Sequence, residues 1–392
     1  MARTTASRIL VSVLFIASFV GVFPECARGR QSPASTLPSV ETNPRAKPQV
    51  DALLPRLLAE PRNVRTLEGQ TSYPSAASFS PDGRRVLTAS DDKTARLLDA
   101  DPSSKTYGKV LRTLEGHTGP VRAASFSPDG RRVITGSVDN TACLWDADPS
   151  SDTFGQLLRK LEGHTDWVYA ASFSPDGRRA LTGGRDNIAR LWDVDPSSKT
   201  YGQQLRTLQG HTFQLLVASF SPDGQRILTA SNDSTARLWD GDPQSPTYGQ
   251  ELPRMDVGKA TVLAASLSLD GRRLLTPPGD NTARLWDAEP NSKTYGKPLC
   301  ALKGHTGWVR AASFSLDRRW MLTAADDGTA RLWDADAQSA TFGSELSRFD
   351  AGQPITAAAF SPDARRVVIG AGTWDPDPAK GRGEVQIWQV AD

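Results

Sequence analysis

A unit of about 47 residues recurs seven times after residue 62 and accounts for nearly all of the remaining chain. Each copy opens near a glycine and closes on a large apolar residue, usually tryptophan. The opening glycines are Gly69, Gly116, Gly163, Gly210, Gly258, Gly304 and Gly352. The closing residues are Leu98, Trp145, Trp192, Trp239, Trp286, Trp333 and Trp388. A fixed period of this length favours one closed array of similar units over two or three unrelated domains.

The residues between these markers have the pattern of short antiparallel strands. The run AASFSPDGRRVLTAS (residues 76–90) alternates small or apolar residues with polar ones around a Ser-Pro-Asp-Gly turn. Proline presets φ, aspartate bonds to its own backbone and glycine accepts positive φ, so the flanking runs form a hairpin. Ala-Arg-Leu-Trp-Asp then forms a third strand, and a run such as residues 109–114 forms a fourth. Each copy is therefore predicted to be a four-stranded sheet.

The spacing of the markers resembles that of WD40 repeats over roughly residues 63–392. Gly-His occurs intact four times and Trp-Asp five times. An aspartate stands six residues before the closing residue in six copies: Asp92, Asp139, Asp186, Asp233, Asp280 and Asp327. The resemblance implies an all-β fold, a seven-bladed β-propeller of four-stranded antiparallel blades.

The two ends of the repeat region predict how the ring closes. The chain stops four residues after Trp388, so the last blade lacks a fourth strand of its own. Residues 63–69 copy the strand that precedes the other opening glycines. We therefore expect this N-terminal strand to complete the last blade, which removes exposed sheet edges.

In WD40 proteins a histidine, a strand Ser or Thr, the turn aspartate and the tryptophan form one hydrogen-bonded chain across a blade. The resemblance implies complete sets in two blades: His117, Ser137, Asp139 and Trp145, and His211, Ser231, Asp233 and Trp239. Elsewhere Gly184, Pro278 or Ala325 replaces the serine, and Gln70, Lys259 or Gln353 replaces the histidine. These gaps predict that blades one, five and seven are less rigid, because a partly satisfied network stabilises less.

The N-terminal region predicts export. Residues 1–27 carry two early arginines and an uncharged, mostly apolar run over residues 9–23, which is short for a membrane span and typical of a signal peptide. Retention as a membrane anchor and lipidation at Cys26 are the alternatives. Residues 28–62 are rich in Pro and Ser and are predicted to be a linker to the propeller of residues 63–392.

Composition argues against catalysis and against nucleic acid as a partner. All four histidines of the chain belong to the Gly-His markers, so none is left as a general base. Lys and Arg number 46 against 44 Asp and Glu, a balance that does not favour polyanions. The three cysteines do not form a disulfide framework. We expect no enzyme activity, no cofactor and no metal site.

Two charged pairs recur in most copies, an aspartate pair in five and an arginine pair in six, and are predicted to lie at the same face of the ring. Aspartate pairs such as Asp99 and Asp101 could bind calcium, but they more simply cap the turn that follows Trp-Asp. Arginine pairs such as Arg84-Arg85 follow the Ser-Pro-Asp-Gly turn. We expect them to face the aspartates and form a solvated, locally paired surface rather than a basic ring. The Tyr/Phe-Gly step of each long connector is interpreted as an anchor against the outer strands.

The opposite face is where the copies differ. Residues after Gly-His-Thr and residues before the turn aspartate vary from copy to copy, and in WD40 proteins these loops commonly contact partners. Trp, Tyr and Arg dominate the energetics of buried interfaces. The candidate partner-binding residues are Trp167, Tyr169, Arg185, Phe213, Trp308, Arg310 and Trp374.

These observations predict a non-catalytic, monomeric scaffold that binds one or more proteins. The alternatives are a propeller enzyme or small-ligand binder that uses the central channel, and polyanion binding through the arginine-bearing face. The leader and the near-identity of connectors such as residues 101–108 and 195–202 resemble bacterial WD40 proteins more than cytosolic eukaryotic ones.

Overall fold

The structure, a computed structural model, describes residues 61–69, 72–253, 255, 257, 261–373 and 382–390. Within these residues 27 strands form seven antiparallel sheets, which follow one another around a ring as its blades. The seven-bladed all-β propeller expected from the repeats is thereby confirmed. The predicted leader of residues 1–27 and most of the predicted linker lie outside the described residues.

The first three blades are regular and four-stranded. Blade 1 contains β2 (Pro74–Phe79), β3 (Arg85–Ser90), β4 (Ala95–Asp99) and β5 (Val110–Leu114). Blade 2 contains β6 (Val121–Phe126), β7 (Arg132–Ser137), β8 (Thr141–Asp146) and β9 (Leu157–Glu162). Blade 3 contains β10 (Val168–Phe173), β11 (Arg179–Gly184), β12 (Ala189–Asp193) and β13 (Gln204–Leu208).

Blades 4 and 5 depart from this regularity. Blade 4 contains β14 (Leu215–Phe220), β15 (Arg226–Ser231) and β16 (Ala236–Asp240). Isolated bridges from Ala236 to Met255 and from Trp239 to Glu251 replace its fourth strand. Pro253 lies between those bridges and has no N–H to donate, which explains why a continuous strand does not form there. Blade 5 contains β17 (Ser266–Leu267), β18 (Arg273–Thr276), β19 (Ala283–Asp287) and β20 (Pro298–Leu302).

Blades 6 and 7 complete the ring. Blade 6 contains β21 (Val309–Phe314), β22 (Trp320–Ala325), β23 (Thr329–Asp334) and β24 (Glu345–Asp350). Blade 7 contains β25 (Ile355–Phe360), β26 (Arg366–Thr373), β27 (Arg382–Gln389) and, as its outer strand, β1 (Arg62–Leu67). Leu67 pairs with Val385 and Asn63 with Trp388. The prediction that the N-terminal strand closes the last blade is thus confirmed.

The hydrophobic core is divided among the seven junctions between neighbouring blades. Each junction encloses one cluster of buried apolar side chains drawn from the two sheets that meet there. Trp145 of blade 2, for example, packs with Leu87 and Leu97 of blade 1. At the closing junction Leu98 occupies the tryptophan position and is fully buried beside Ala357 and Val368 of blade 7. Burial of apolar area at every junction is the main stabilising term of the ring.

Candidate functional site

A hydrogen-bonded chain crosses blade 2, but its hydroxyl group belongs to Thr135 and not to the predicted Ser137. Trp145 Nε1 donates to Thr135 Oγ1 over 2.8 Å, and His117 Nε2 lies 2.7 Å from the same oxygen. His117 Nδ1 lies 2.8 Å from Asp139 Oδ2. Ser137 Oγ instead donates to the carbonyl oxygen of Gly119 and accepts from the Asp139 amide. The prediction was right for the other three residues and wrong for the serine.

The same correction applies to the other three blades that contain a histidine. In blade 4, Thr229 rather than Ser231 lies between His211 and Trp239, and His211 Nδ1 lies 2.9 Å from Asp233 Oδ2. Loss of the serine therefore leaves the chain intact, so that four blades have it and not two. The remaining sets are His164, Thr182, Asp186 and Trp192, and His305, Thr323, Asp327 and Trp333.

Burial and hydrogen bonding set the protonation of these chains. Burial alone would raise the pKa of Asp186, but hydrogen bonds and charge from His164 and Arg190 outweigh it and lower the pKa to about 2. The pKa of Asp327 is likewise lowered to about 2, with burial outweighed by the Thr306 and Thr329 donors. Desolvation lowers the pKa of His164 and His305. A neutral imidazole that donates from Nδ1 to a carboxylate and accepts at Nε2 satisfies the whole chain.

In two of the blades that lack the histidine, an arginine forms an ion pair with the turn aspartate. In blade 1 Arg96 contacts Asp92 at 2.6 Å, and in blade 5 Arg284 contacts Asp280. In blades 4 and 6, where a histidine holds the aspartate, the corresponding arginines pair with glutamates of the outer segment instead. Those pairs are Arg237 with Glu251 and Arg331 with Glu345. Blade 7 has neither the histidine nor the arginine at these positions. Its Trp388 Nε1 donates instead to Gln386 Oε1 over 2.8 Å.

Blade 2 has a cysteine where five other blades have this arginine. Cys143 Sγ lies 4.0 Å from His117 Nδ1, a juxtaposition of nucleophile and base that superficially suggests catalysis. However, the thiol is buried, and desolvation together with the Asp139 charge raises its pKa to about 12. The thiol therefore stays protonated at neutral pH, and this pair does not form an activated nucleophile.

Backbone hydrogen bonds join the loop after Gly-His-Thr to the residue before the turn aspartate in three blades. In blade 3 the Arg185 amide donates to the Trp167 carbonyl over 2.8 Å. The Asp326 amide donates to Trp308 in blade 6 in the same way, and the Asn232 amide to Gln214 in blade 4. We call the surface formed by these loops the variable face.

Blade 3 contributes an aromatic group that is held from two sides. The guanidinium carbon of Arg185 lies 4.7 Å from the Trp167 ring centroid, and Arg185 also faces Asp166 at 3.6 Å. Tyr169 meets Trp167 edge to face at 6.0 Å. Trp167 is half-buried and Arg185 is exposed, whereas Tyr169 is only 1% exposed. Tyr169 therefore supports Trp167 from below, and its prediction as a contact residue is corrected.

Blade 6 contributes the largest exposed aromatic side chain of the variable face. Trp308 is 47% exposed, with the Arg310 guanidinium carbon 5.2 Å from its ring centroid. Arg310 is held by a two-pronged ion pair with Asp326, at 2.8 and 2.6 Å, and is itself only 9% exposed. Arg310 therefore positions Trp308, and its prediction as a partner-binding residue is corrected. Phe213 of blade 4 is 51% exposed, and Trp374 lies outside the described residues.

Residues near the start of the inner strands are buried in six blades. Six inner strands have a register shift at the same place, which places one bulged residue there: Ser75, Arg122, Tyr169, Leu216, Arg310 and Thr356. All six are buried. Arg122 pairs with Asp91 of the neighbouring blade at 2.6 Å. A bulge re-aims a side chain, and here Ser75 donates to the Val121 carbonyl of the next blade and Thr356 to the Pro74 carbonyl of the next blade.

Tyr73 shows how closely this group converges. Burial raises its pKa, and charges on Arg310 and Asp326 of blade 6 act on it together with Asp91 and Arg122 of blades 1 and 2. Blades 2 and 6 are not neighbours, so their side chains meet only near the axis. Sequence reasoning missed Tyr73, Asp91 and Arg122. The available signal was the variable residue directly after the first apolar residue of each inner strand.

On the opposite face the aspartate pairs cap turns. Asp146 Oδ1 accepts from the Asp148 amide at 2.9 Å, and Asp146 Oδ2 accepts from Ser151 and Thr153. Asp148 Oδ1 accepts from the amide and hydroxyl of Ser150. This positive use of the carboxylate oxygens supports the turn interpretation over calcium. No cluster of three metal-binding side chains occurs among the described residues.

The paired arginines of this face have two different roles. The first member faces an acidic residue, as predicted, for example Arg84 with Asp101 at 3.6 Å. The second member extends to the next blade and donates to carbonyl groups there, as Arg85 does to Ala147 and Gly130. Arg226, which follows Gln225 rather than an arginine, donates in the same way to Ala288 at 2.9 Å and Gly271 at 2.6 Å. Arg366 closes the ring by donating to Ala100 and Gly83 of blade 1. The expectation of a wholly solvated surface was wrong for these clamping arginines.

The connector aromatics also contact the preceding blade. The guanidinium of Arg112 on β5 lies 4.7 Å from the Phe154 ring centroid, and Arg159 on β9 lies 4.9 Å from that of Tyr201. The predicted anchoring of connectors against outer strands is confirmed. No helix among the described residues is long and apolar enough to cross a membrane.

A ring of seven similar blades, four of which contain a His–Thr–Asp–Trp chain, defines a repeat-type β-propeller. Comparison with protein-family models matches the WD domain, G-beta repeat, at residues 61–99, 108–146, 155–193, 202–240 and 296–334. The chain therefore belongs to the WD40-repeat family. The unmatched repeats are those of blades 5 and 7, which lack the Gly-His marker. No curated protein matches the chain.

Proposed function

We propose that this protein is a non-catalytic scaffold that binds one or more proteins through the variable face. WD40 propellers are generally scaffolds of this kind. The observation that carries the proposal for this chain is the exposure of Trp308. About half of this side chain is in solvent, and the Arg310 guanidinium that contacts its ring is held by Asp326. An aromatic side chain that is already positioned loses little conformational entropy on binding.

Trp167 and Phe213 extend the proposed surface across blades 3 and 4. The Trp167 ring is fixed between Arg185 and Tyr169, so it resembles Trp308 in being prepared before a partner arrives. Phe213 contributes exposed apolar area without such support. Together the three aromatic side chains suit the apolar centre of a protein interface with a polar rim.

The same geometry does not favour the two alternatives. A channel ligand would enter through a mouth in which Arg122, Tyr169 and Arg310 are already packed. A polyanion on the opposite face would meet exposed arginines already paired with acidic residues, while the clamping arginines donate to carbonyl groups. We also propose that residues 1–27 direct export, that the protein is monomeric, and that it is of the bacterial type.

The scaffold proposal is tested by crosslinking in the native cell followed by affinity purification. A Trp308→Ala/Phe213→Ala variant is compared with wild type and with Leu157→Ala/Leu299→Ala. The control pair is exposed to a similar degree, 46% and 43%, but lies on the outer strands β9 and β20. We expect partners captured by wild type to be kept by the control and lost by the first variant. Retention of every partner by a folded Trp308→Ala/Phe213→Ala protein would refute the proposed face.

Export is tested separately by cell fractionation of the full chain and of a chain that lacks residues 2–27. We expect the full chain in the cell envelope or medium and the truncated chain in the cytoplasm. Identical distributions would refute the role proposed for the leader.

A further inference from the structure

Four of the seven blade junctions share one construction on the face that bears the Ser-Pro-Asp-Gly turns. There the turn glycine of one blade packs against a proline of the blade before it, and in three of them also against a clamping arginine. A Cβ atom on Gly130 would lie 3.4 Å from Pro81 Cδ and 3.2 Å from an Arg85 nitrogen. The other proline pairs are Pro128 with Gly177, Pro175 with Gly224 and Pro362 with Gly83, whereas the atoms nearest to Gly271 belong to the clamping Arg226. The repeats therefore provide an internal standard for how a closed junction is built.

The junction between blades 5 and 6 departs from that standard at three positions. Leu269 replaces the proline, and Arg318, at φ 65°, replaces the turn glycine. Ala337 replaces the connector proline that blades 1 to 5 all have. These three residues line a cavity of about 210 Å³ together with Arg273, Phe314 and Asp336. The cavity thus lies at a junction where the proline and glycine of the closed junctions have been replaced.

The clamping arginine of this junction keeps its hydrogen bond to the connector carbonyl of the next blade but contacts a different aromatic ring. Elsewhere this arginine lies over the phenylalanine of the next inner strand, as Arg85 does over Phe126 at 5.3 Å and Arg366 over Phe79 at 5.0 Å. Arg273 lies instead over Phe342, at 5.4 Å, and donates to the Ala335 carbonyl. The ring of Phe314 is therefore left to line the cavity.

The acidic residue at the rim has also lost its usual partner. In blades 1, 2 and 3 the equivalent aspartate faces the first arginine of the pair at 3.5 to 3.6 Å. In blade 6 that arginine, Arg319, lies over the Trp320 ring at 5.3 Å, and no ion pair joins it to Asp336 among the described residues. Asp336 accepts a hydrogen bond from the Gln338 amide and is exposed at the cavity rim.

The cavity therefore combines both signs of charge with an apolar floor. Arg273 and Arg318 provide guanidinium groups, and both act on the Asp270 carboxylate, which also lines the cavity. Asp336 provides a second carboxylate on the opposite blade, while Leu269 and Phe314 are half-buried below. Two positive and two negative groups around one small volume suit a ligand that carries both charges rather than an anion or a cation alone.

We propose that the cavity between blades 5 and 6 binds a small zwitterion of the size and chemistry of an α-amino acid. The ligand carboxylate is received by Arg273 and Arg318, its ammonium group by Asp336, and its side chain by Phe314 and Leu269. A volume of about 210 Å³ is smaller than the ~300–1,000 Å³ of drug-sized pockets, which restricts the ligand to on the order of ten non-hydrogen atoms.

The test is isothermal titration calorimetry of the full chain with L-leucine, N-acetyl-L-leucine and L-leucinamide. The derivatives keep the side chain but carry only the carboxylate or only the ammonium group. We expect saturable binding of L-leucine and at least tenfold weaker binding of both derivatives. Absence of saturable binding of L-leucine, glycine and L-phenylalanine at ~20 mM would overturn the proposal. Equal binding of either derivative would overturn the zwitterion assignment.

A variant that restores the standard junction provides the decisive comparison. Leu269→Pro/Arg318→Gly/Ala337→Pro introduces the residues that the closed junctions use, and we expect it to fold and to bind L-leucine at least tenfold more weakly. Gln225→Arg, which restores the standard residue in blade 4, is the matched control and is expected to bind within twofold of wild type. If the triple variant does not fold, Ala337→Pro alone is measured, with the same weakening expected. Binding within twofold of wild type by a folded cavity variant refutes the site.

Discussion

Replacing Thr135 by valine removes the hydroxyl group at the centre of the hydrogen-bonded chain in blade 2 while keeping the side-chain volume. Thr135 is fully buried, and its Oγ1 is the partner of both Trp145 Nε1 and His117 Nε2. Each buried polar atom that loses its partner costs about 1–3 kcal/mol of folding free energy. The two atoms together predict that Thr135→Val lowers the free energy of unfolding by about 2–6 kcal/mol.

Two further substitutions make the prediction specific. Thr276→Val in blade 5 removes a hydroxyl that has one hydrogen-bond donor among the described residues, Trp286 Nε1 at 2.8 Å, so we expect about 1–3 kcal/mol. Ser137→Ala, at the position first expected to join the chain, removes bonds to the Gly119 carbonyl and the Asp139 amide. Both of these residues are partly exposed, so water replaces part of the lost bonding and we expect about 1–2 kcal/mol. Thr135→Val is therefore expected to destabilise the protein more than either of the other two substitutions.

The measurement is urea-induced unfolding of each full-length variant, followed by tryptophan fluorescence and by circular dichroism. Coincidence of the two signals establishes that one transition is being compared. A loss for Thr135→Val no larger than that for Ser137→Ala would refute the assignment of the hydroxyl. An equal loss for Thr135→Val and Thr276→Val would refute the contribution of the histidine.

Three other predictions concern pH, the clamps and the buried thiol. Folding lowers the pKa of His164 and of Asp186, so the unfolded chain binds more protons than the folded chain on acidification. The urea midpoint should therefore fall as the pH drops below about 6.5 and again below about 4. An unchanged midpoint between about pH 8 and about pH 5 would contradict this. Arg226→Met should cost about 2–3 kcal/mol in the same unfolding assay, whereas Arg272→Ala, an exposed paired residue, should change stability by less than about 1 kcal/mol; equal effects would contradict the clamp. Cys143 should react with a thiol reagent only after unfolding, and mass mapping that finds it modified in the native state would contradict its burial.

The sequence was sufficient for the architecture because the repeat reports the same local chemistry seven times. A Ser-Pro-Asp-Gly turn at a fixed distance from Trp-Asp leaves little freedom in strand order. Residues 63–69 could be recognised as a strand that precedes the first repeat and has no partner strand within it. The choice between Thr135 and Ser137 was different. Both hydroxyls lie on one strand two residues apart and so on one face, and only coordinates show which one reaches the histidine.

The burial of individual residues of the variable face could not be predicted from loop variability. That variability singled out Trp167, Trp308 and Phe213 together with Tyr169 and Arg310, but the last two lie at strand bulges and are buried. The roles of Arg84 and Arg85 could not be separated either. Adjacent strand residues point to opposite sides, but the side that meets the next blade is decided by packing across the junction.

Closure of blade 7 by β1 ties the order of synthesis to the order of folding. Among the described strands β1 is synthesised first and β27 last, so the hydrogen bonds that join them must wait until the rest of the ring has been made. At ~5–20 residues per second that delay is on the order of tens of seconds, during which β1 carries an unpaired edge. Of the described strands, β1 is therefore the one most exposed to mispairing in the nascent chain.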